Sequence, residues 1–122
     1  MVLSPPAPAL EVPSLEQAYE DCRVETERWA KTFYLGTLLM PPAKRRAIWA
    51  IYVWCRRTDE LMDSPEAQAL PVAELSARLD AWEQRTRELF AGQVRDGLDR
   101  VMADVIEHYP QPLEAYLEMI EG

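Results

Sequence analysis

Two aspartates four residues apart, Asp59 and Asp63, close the run Ala47-Ile-Trp-Ala-Ile-Tyr-Val-Trp-Cys-Arg-Arg-Thr-Asp-Glu-Leu-Met-Asp63. At about 100° per residue on a helix they sit roughly 40° apart, one turn above the other. Arg56 and Tyr52 precede Asp63 by seven and eleven residues and fall on the same stripe. From the apolar end to the polar end the stripe therefore reads phenol, guanidinium, carboxylate, carboxylate. Two stacked carboxylates suit Mg²⁺, a hard ion that takes one or two protein carboxylates together with phosphate oxygens and water. Arg56 can grip a phosphate with its planar fork of donors. Tyr52 stands where such a polar site would meet an apolar pocket.

A plainer reading stands beside this one: Asp59 and Asp63 form a solvated face and pair with Arg56 and Arg57. Spacing alone does not choose between the two. Context weighs toward a site, because Ile48, Trp49, Ile51, Val53 and Trp54 cover nearly all sides of the preceding turns. That pattern predicts a buried helix, and a buried helix with an acidic end needs a reason for its charges.

The elements that must position this stripe are all helical. Ser14-Leu-Glu-Gln17 fits a capping box, with Ser14 at the N-cap and Gln17 reaching back. A helix is expected from about Leu15 to Lys31, and Thr32–Met40 either continues it or bends at Gly36. Pro41-Pro42 stops it, and Pro42 suits the first turn of the next helix, about Ala43 to Asp63, which Ser64-Pro65 ends. Further helices are expected over about Val72–Phe90, closing near Gly92, and over Gly97–His108 and Leu113–Glu121. Gly122 is a candidate C-cap, or the point where a longer protein was cut. No strand pattern and no repeat interrupts this series, so the fold class is all-α.

The whole chain sets limits. Its 122 residues fit one domain, and 48% apolar with 28% charged residues describes a folded protein. A net charge of −8 excludes a binder of nucleic-acid phosphates, though not an anionic small substrate held through a metal ion. Cys22 and Cys55 are too few for a disulfide framework and read as buried thiols in a reducing compartment. No apolar segment reaches the roughly 18 to 20 residues that span a bilayer. Residues 1–13 read as a disordered Pro/Ala-rich tail without the features of a signal or transit peptide, and 14–122 as the folded part.

Other candidates carry less. His108, the one histidine, is expected at a helix end as a capping or surface residue. No Cys/His spacing suggests zinc, no glycine-rich loop cradles a nucleotide, and no serine has a plausible triad. Trp29, Phe33, Tyr34, Trp49, Trp54 and Trp82 are expected mainly in the core. Phe33 and Tyr34 stand apart from the other four because they adjoin Lys31 and Thr32, two candidate phosphate contacts.

With these residues set out, a resemblance emerges. Ala30-Lys-Thr-Phe-Tyr-Leu-Gly-Thr37 and Arg45 through Asp63 closely resemble the N-terminal region of the squalene/phytoene synthase family, in its cyanobacterial, algal and plant phytoene-forming branch. The likeness continues through Leu79-Asp-Ala-Trp-Glu83, Leu89-Phe-Ala-Gly92 and Glu118-Met-Ile-Glu-Gly122. It implies an isoprenoid-synthase-type helical fold around a deep apolar cavity. It also implies Mg²⁺-dependent head-to-head condensation of two geranylgeranyl diphosphates to phytoene through a cyclopropyl diphosphate, with Mn²⁺ as a substitute ion. On this resemblance Asp59 and Asp63 match the first of two aspartate-rich metal motifs. Tyr52 and Arg56 match positions near the diphosphate, and Lys31, Thr32 and Phe33 match a substrate-contacting segment.

The physics of such a reaction agrees with the stripe. Ionising an allylic diphosphate requires neutralising charge on the leaving group. The carbocation left behind must be kept from water, with aromatic faces able to stabilise it. Three departures from the family pattern matter. The second aspartate-rich motif is absent, and so are the later helices that close the cavity. Met62 stands for a common valine and Trp29 for another aromatic or a histidine, the last pair being tolerable changes. The chain is thus expected to be the first third to two fifths of a synthase and inactive by itself. The alternatives are a squalene or dehydrosqualene synthase using farnesyl diphosphate, or a non-catalytic helical interaction protein. A lipophilic substrate suggests peripheral membrane association in the cytoplasm, or in a plastid for a processed plant or algal chain.

Overall fold

The computed structural model describes residues 12–121. Most of the expected Pro/Ala-rich tail, and Gly122 with its expected capping role, lie outside them. Among the described residues there are seven helices and no strand, the all-α class that the sequence pattern predicts.

Ser14 starts α1 (Leu15–Trp29) by accepting a hydrogen bond from the Gln17 N–H at 3.2 Å. Half of the expected capping box is missing, because the Gln17 amide turns forward to Asp21 at 2.9 Å. The helix expected to run to Lys31, with any bend at Gly36, breaks instead at Ala30. The φ of −142° and ψ of 64° there are not helical, and α2 (Lys31–Thr37) follows at once. Inside α1, fully buried Thr26 returns its hydroxyl to the Cys22 carbonyl. Burying a polar hydroxyl this way satisfies it locally, at some cost to helix regularity.

Pro42 opens α3 (Pro42–Asp63), where a missing N–H costs nothing. Arg45 fixes the preceding turn by donating to the carbonyls of Leu38 and Met40. At the other end Ser64 serves two helices. Its N–H bonds the Glu60 carbonyl of α3, and its Oγ accepts from Ala67 in α4 (Pro65–Gln68), a short turn of helix not anticipated from the sequence. α5 (Val72–Phe90) closes at Gly92, whose φ of +100° only glycine adopts freely. Asp96 caps α6 (Gly97–His108), and α7 (Leu113–Glu121) follows.

α3 is the axis of the fold, packed by α1, α6 and α5, while α7 lies on α5. Gly97 marks a close approach between α6 and the start of the chain. A Cβ there would stand 2.9 Å from a Pro13 side-chain carbon and 3.5 Å from the Ala18 methyl.

Aromatic rings fill the core. Trp54, 1% exposed, stacks on Trp82 at 6.0 Å and meets Tyr116 edge-on at 4.9 Å. Both Trp82 and Trp49 send a buried indole N–H to a threonine. Trp82 donates to Thr58 at 2.9 Å and Trp49 to Thr37 at 2.8 Å, and each threonine hydroxyl in turn donates to a helix carbonyl. This solves the problem of burying a tryptophan, whose ring is apolar and whose N–H is not. Of the six aromatic residues expected in the core, Tyr34, Trp49, Trp54 and Trp82 are there, but Trp29 and Phe33 are 50% and 46% exposed. The expectation of an α3 buried on nearly all sides also fails. Ile48, Ile51, Tyr52 and Cys55 are only partly covered, although Phe33 of α2 lies against Tyr52 and Ile51, Tyr52 and Cys55 touch the edge of the core.

Candidate functional site

The uncovered side of α3 carries the stripe. Tyr52, Cys55, Arg56, Asp59, Glu60, Asp63 and Ser64 line one open groove of about 270 Å³. One continuous helix spaces them, so their alignment follows from the 3.6-residue period rather than from long-range packing. Asp59 and Asp63 are exposed, whereas Tyr52 and Arg56 are half-buried.

The reading in which Arg56 and Arg57 pair with these aspartates does not match the side chains. Arg56 pairs with Glu60 at 2.9 Å, and Arg57 reaches across to Asp96 at 2.8 Å. Among the described residues neither Asp59 nor Asp63 has an ion-pair partner. Two unpaired carboxylates one helical turn apart are a competent hard-oxygen donor pair for a divalent cation, with further oxygens needed from elsewhere. Cys55 does not soften that donor set. Burial, and then the Asp59 charge, pushes its thiol up, so it stays neutral at physiological pH. The residues present therefore fit Mg²⁺ or Mn²⁺ better than a thiolate-seeking metal.

The segment expected to contact substrate meets this groove in part. Phe33 brings its ring to 5.7 Å from that of Tyr52, tilted by 31°, so α2 meets the groove through Tyr52, at the end away from the carboxylates. Thr32 is exposed. Lys31 is not brought to the groove: its ammonium pairs with Glu27 of α1 at 3.0 Å. Sequence reasoning missed two residues. Trp29 lays its indole against Arg56, with the guanidinium carbon 3.9 Å from the ring centroid, and Glu60 holds the same guanidinium from its own helix. The signal for Glu60 is present in the sequence, since it lies four residues after Arg56. The signal for Trp29 is not, since it depends on how α1 crosses α3.

Other charged clusters are structural. Asp96 caps α6 by accepting from the Asp99 N–H at 2.8 Å and also receives Arg57 and Arg85 at 2.8 and 2.7 Å. Burial pushes its carboxyl up, but the Asp99 N–H and the two arginines outweigh burial and hold it below the usual range. Near the end of α6, Asp104, Glu107 and His108 bring ligand-type atoms within 4.8 Å of one another. Asp104 is already committed there to the Tyr19 hydroxyl at 2.6 Å. His108 sits on the surface, as expected, with Nδ1 2.8 Å from the Asp104 carbonyl oxygen. That contact, with the Asp104 charge, raises the imidazole and favours the protonated form, which is no metal ligand.

The sequence model of the squalene/phytoene synthase family matches residues 26–122. The chain belongs to the squalene/phytoene synthase family. It is similar to the 15-cis-phytoene synthase of Synechococcus elongatus, 54% identical over 118 residues covering 97% of this chain and 37% of that protein. The 15-cis-phytoene synthase of Synechocystis is also 54% identical, over 89% of this chain and 31% of its own length. Phytoene synthase 1 of Arabidopsis thaliana is 51% identical over 88% of this chain and 25% of its own. The chain thus spans between a quarter and two fifths of these relatives. A dehydrosqualene synthase crystal structure with ligand superposes with a TM-score of 0.74 at 24% identity, covering 88% of this chain and 35% of that one. This establishes the isoprenoid-synthase helical fold for the family member described here.

Proposed function

We propose that this chain is the N-terminal part of a phytoene synthase, contributing the first metal and diphosphate jaw of the active site. The complete enzyme would condense two geranylgeranyl diphosphates head to head, through a cyclopropyl diphosphate, to phytoene. The observation that carries the proposal is the single groove in which Tyr52, Arg56, Asp59 and Asp63 converge while both aspartates lack ion-pair partners among the described residues.

Asp59 and Asp63 would hold the divalent cation, Mg²⁺ or Mn²⁺. That cation, when bound, supplies Lewis-acid charge neutralisation at the diphosphate. Arg56 offers its guanidinium to the same leaving group, and charge neutralised there lowers the cost of breaking the allylic C–O bond. Thr32, and Lys31 once it leaves Glu27, would add donors from α2. Tyr52 and Phe33 place ring faces beside the groove, where a developing carbocation is attracted to the aromatic quadrupole and water is displaced. Two carboxylates are half of the ligand set in a reaction with two diphosphates, so the isolated chain is proposed to be inactive. The apolar side of α3 would be completed by later helices. Loading of a C20 lipid fits peripheral membrane association, and none of the described helices is long and apolar enough to cross a membrane.

The test is a chimera in which this chain replaces the matching segment of the Synechococcus elongatus relative. With Mg²⁺ and geranylgeranyl diphosphate it is expected to form phytoene. Turnover of farnesyl diphosphate alone would redirect the reading to a squalene or dehydrosqualene synthase. No release of diphosphate from either would defeat it.

A further inference from the structure

Trp29 is half exposed, carries no titratable group and lies one helix away from the carboxylates, yet it makes the closest cation–π contact among the described residues. The guanidinium carbon of Arg56 stands 3.9 Å from its ring centroid, and that of Arg28 stands 5.0 Å from the same ring. Arg56 and Glu60 both line the groove of the aspartates and also a second cleft of about 410 Å³, which Trp29 borders. Arg56 is therefore the wall between the two, and what holds it decides which way its donors face.

We propose that Trp29 is a positioning residue that sets Arg56 for an oxygen-rich anion in the groove of Asp59 and Asp63, the diphosphate end of a substrate. This rests on the synthase reading of that groove. The physical reason lies in the kind of contact. An aromatic face holds a guanidinium by its plane, leaving its in-plane N–H donors free and its charge un-neutralised. A carboxylate consumes both. Arg57 and Arg85 show the second outcome: each is spent on Asp96, and Arg85 also on Asp99. Arg56 keeps one carboxylate contact, to Glu60, whose side chain is 60% exposed and free to swing into solvent. The indole fixes the plane while Glu60 can yield its place to a phosphate oxygen. The break at Ala30 serves this arrangement, because it ends α1 where Trp29 faces α3 and restarts the chain so that Phe33 reaches Tyr52.

The experiment is a double-mutant cycle in the chimera, read by calorimetric binding of inorganic diphosphate with Mg²⁺. Trp29→Leu is expected to weaken binding about tenfold, and Trp29→Phe, which keeps a ring, to restore most of it. In an Arg56→Met background Trp29→Leu is expected to change nothing further. Binding by Trp29→Leu equal to that of the unsubstituted protein, or effects of the two substitutions that simply multiply, would overturn the proposal. Because the readout is binding, a chimera that binds diphosphate but makes no phytoene defeats only the synthase reading. One that turns over normally with Trp29→Leu defeats only the role of Trp29.

Discussion

Arg56 and Arg57 are neighbours on one helix and meet opposite fates. Arg57 turns toward α6 and joins Arg85 on Asp96, a junction of three helices in which each charge has a partner. Arg56 turns toward the open side, rests on an indole, and stands above two aspartates without ion-pair partners among the described residues. The first cluster is closed and holds helices together. The second is open, and its groups face a groove wide enough for a ligand. The charges of the closed cluster find partners within the fold, although the buried Arg85 Nε has no hydrogen-bond partner among the described residues, whereas the open-side aspartates keep their charge unpaired.

Substitutions can break this contrast. The largest effect is expected on the open side: Asp59→Asn or Asp63→Asn in the chimera should lower phytoene formation by about a thousandfold, with helicity and Tm unchanged. A large loss of Tm would move these aspartates into the structural class. On the closed side the pattern should invert. Asp96→Asn keeps a capping oxygen but removes the negative charge that Arg57 and Arg85 share, and should cost about 2 kcal/mol of stability. That is less than for a fully buried pair, because 36% of the side chain meets solvent. Denaturant unfolding measures it, while the KM for geranylgeranyl diphosphate should hold.

Acid sharpens the same point. The Asp96 carboxyl titrates below its ordinary value of 3.8 when folded. Its contribution is therefore complete above that value and is lost as pH falls through the lower, folded one. Unfolding curves taken from pH 5 down to 2 should fall more steeply for the unsubstituted protein than for Asp96→Asn. Parallel curves would remove Asp96 from the account. Within the aromatic core, Trp82→Phe deletes the hydrogen bond to Thr58 and should cost about 1 to 2 kcal/mol. The smallest effect is expected from Lys31→Ala, about a threefold rise in KM at most, since its ammonium is turned to Glu27 and pairs at the surface.

Much of this molecule is legible from the order of its residues. The helices over Val72–Phe90, Gly97–His108 and Leu113–Glu121 have the bounds that the sequence predicts, because caps, prolines and apolar periods are local signals. The stripe from Tyr52 to Asp63 is legible for the same reason: one helix and one period fix it. The break at Ala30 is not, since no proline or glycine marks it and only the packing of two helix directions on α3 requires it. Nor is the exposure of Trp29 and Phe33, whose apolar character predicts burial equally well in a core or beside a groove.

The sequence by itself determined the helical class, the helix ends set by local chemistry, the alignment of Tyr52, Arg56, Asp59 and Asp63 along one stripe, and the family to which the chain belongs. Only the tertiary structure decided which arginine is spent and which is kept. Arg56 and Arg57 differ by one position, or about 100° around the helix axis, and sequence does not say which neighbour waits on either side. The crossing of α1 put an indole beside one. The approach of α5 and α6 put a carboxylate beside the other.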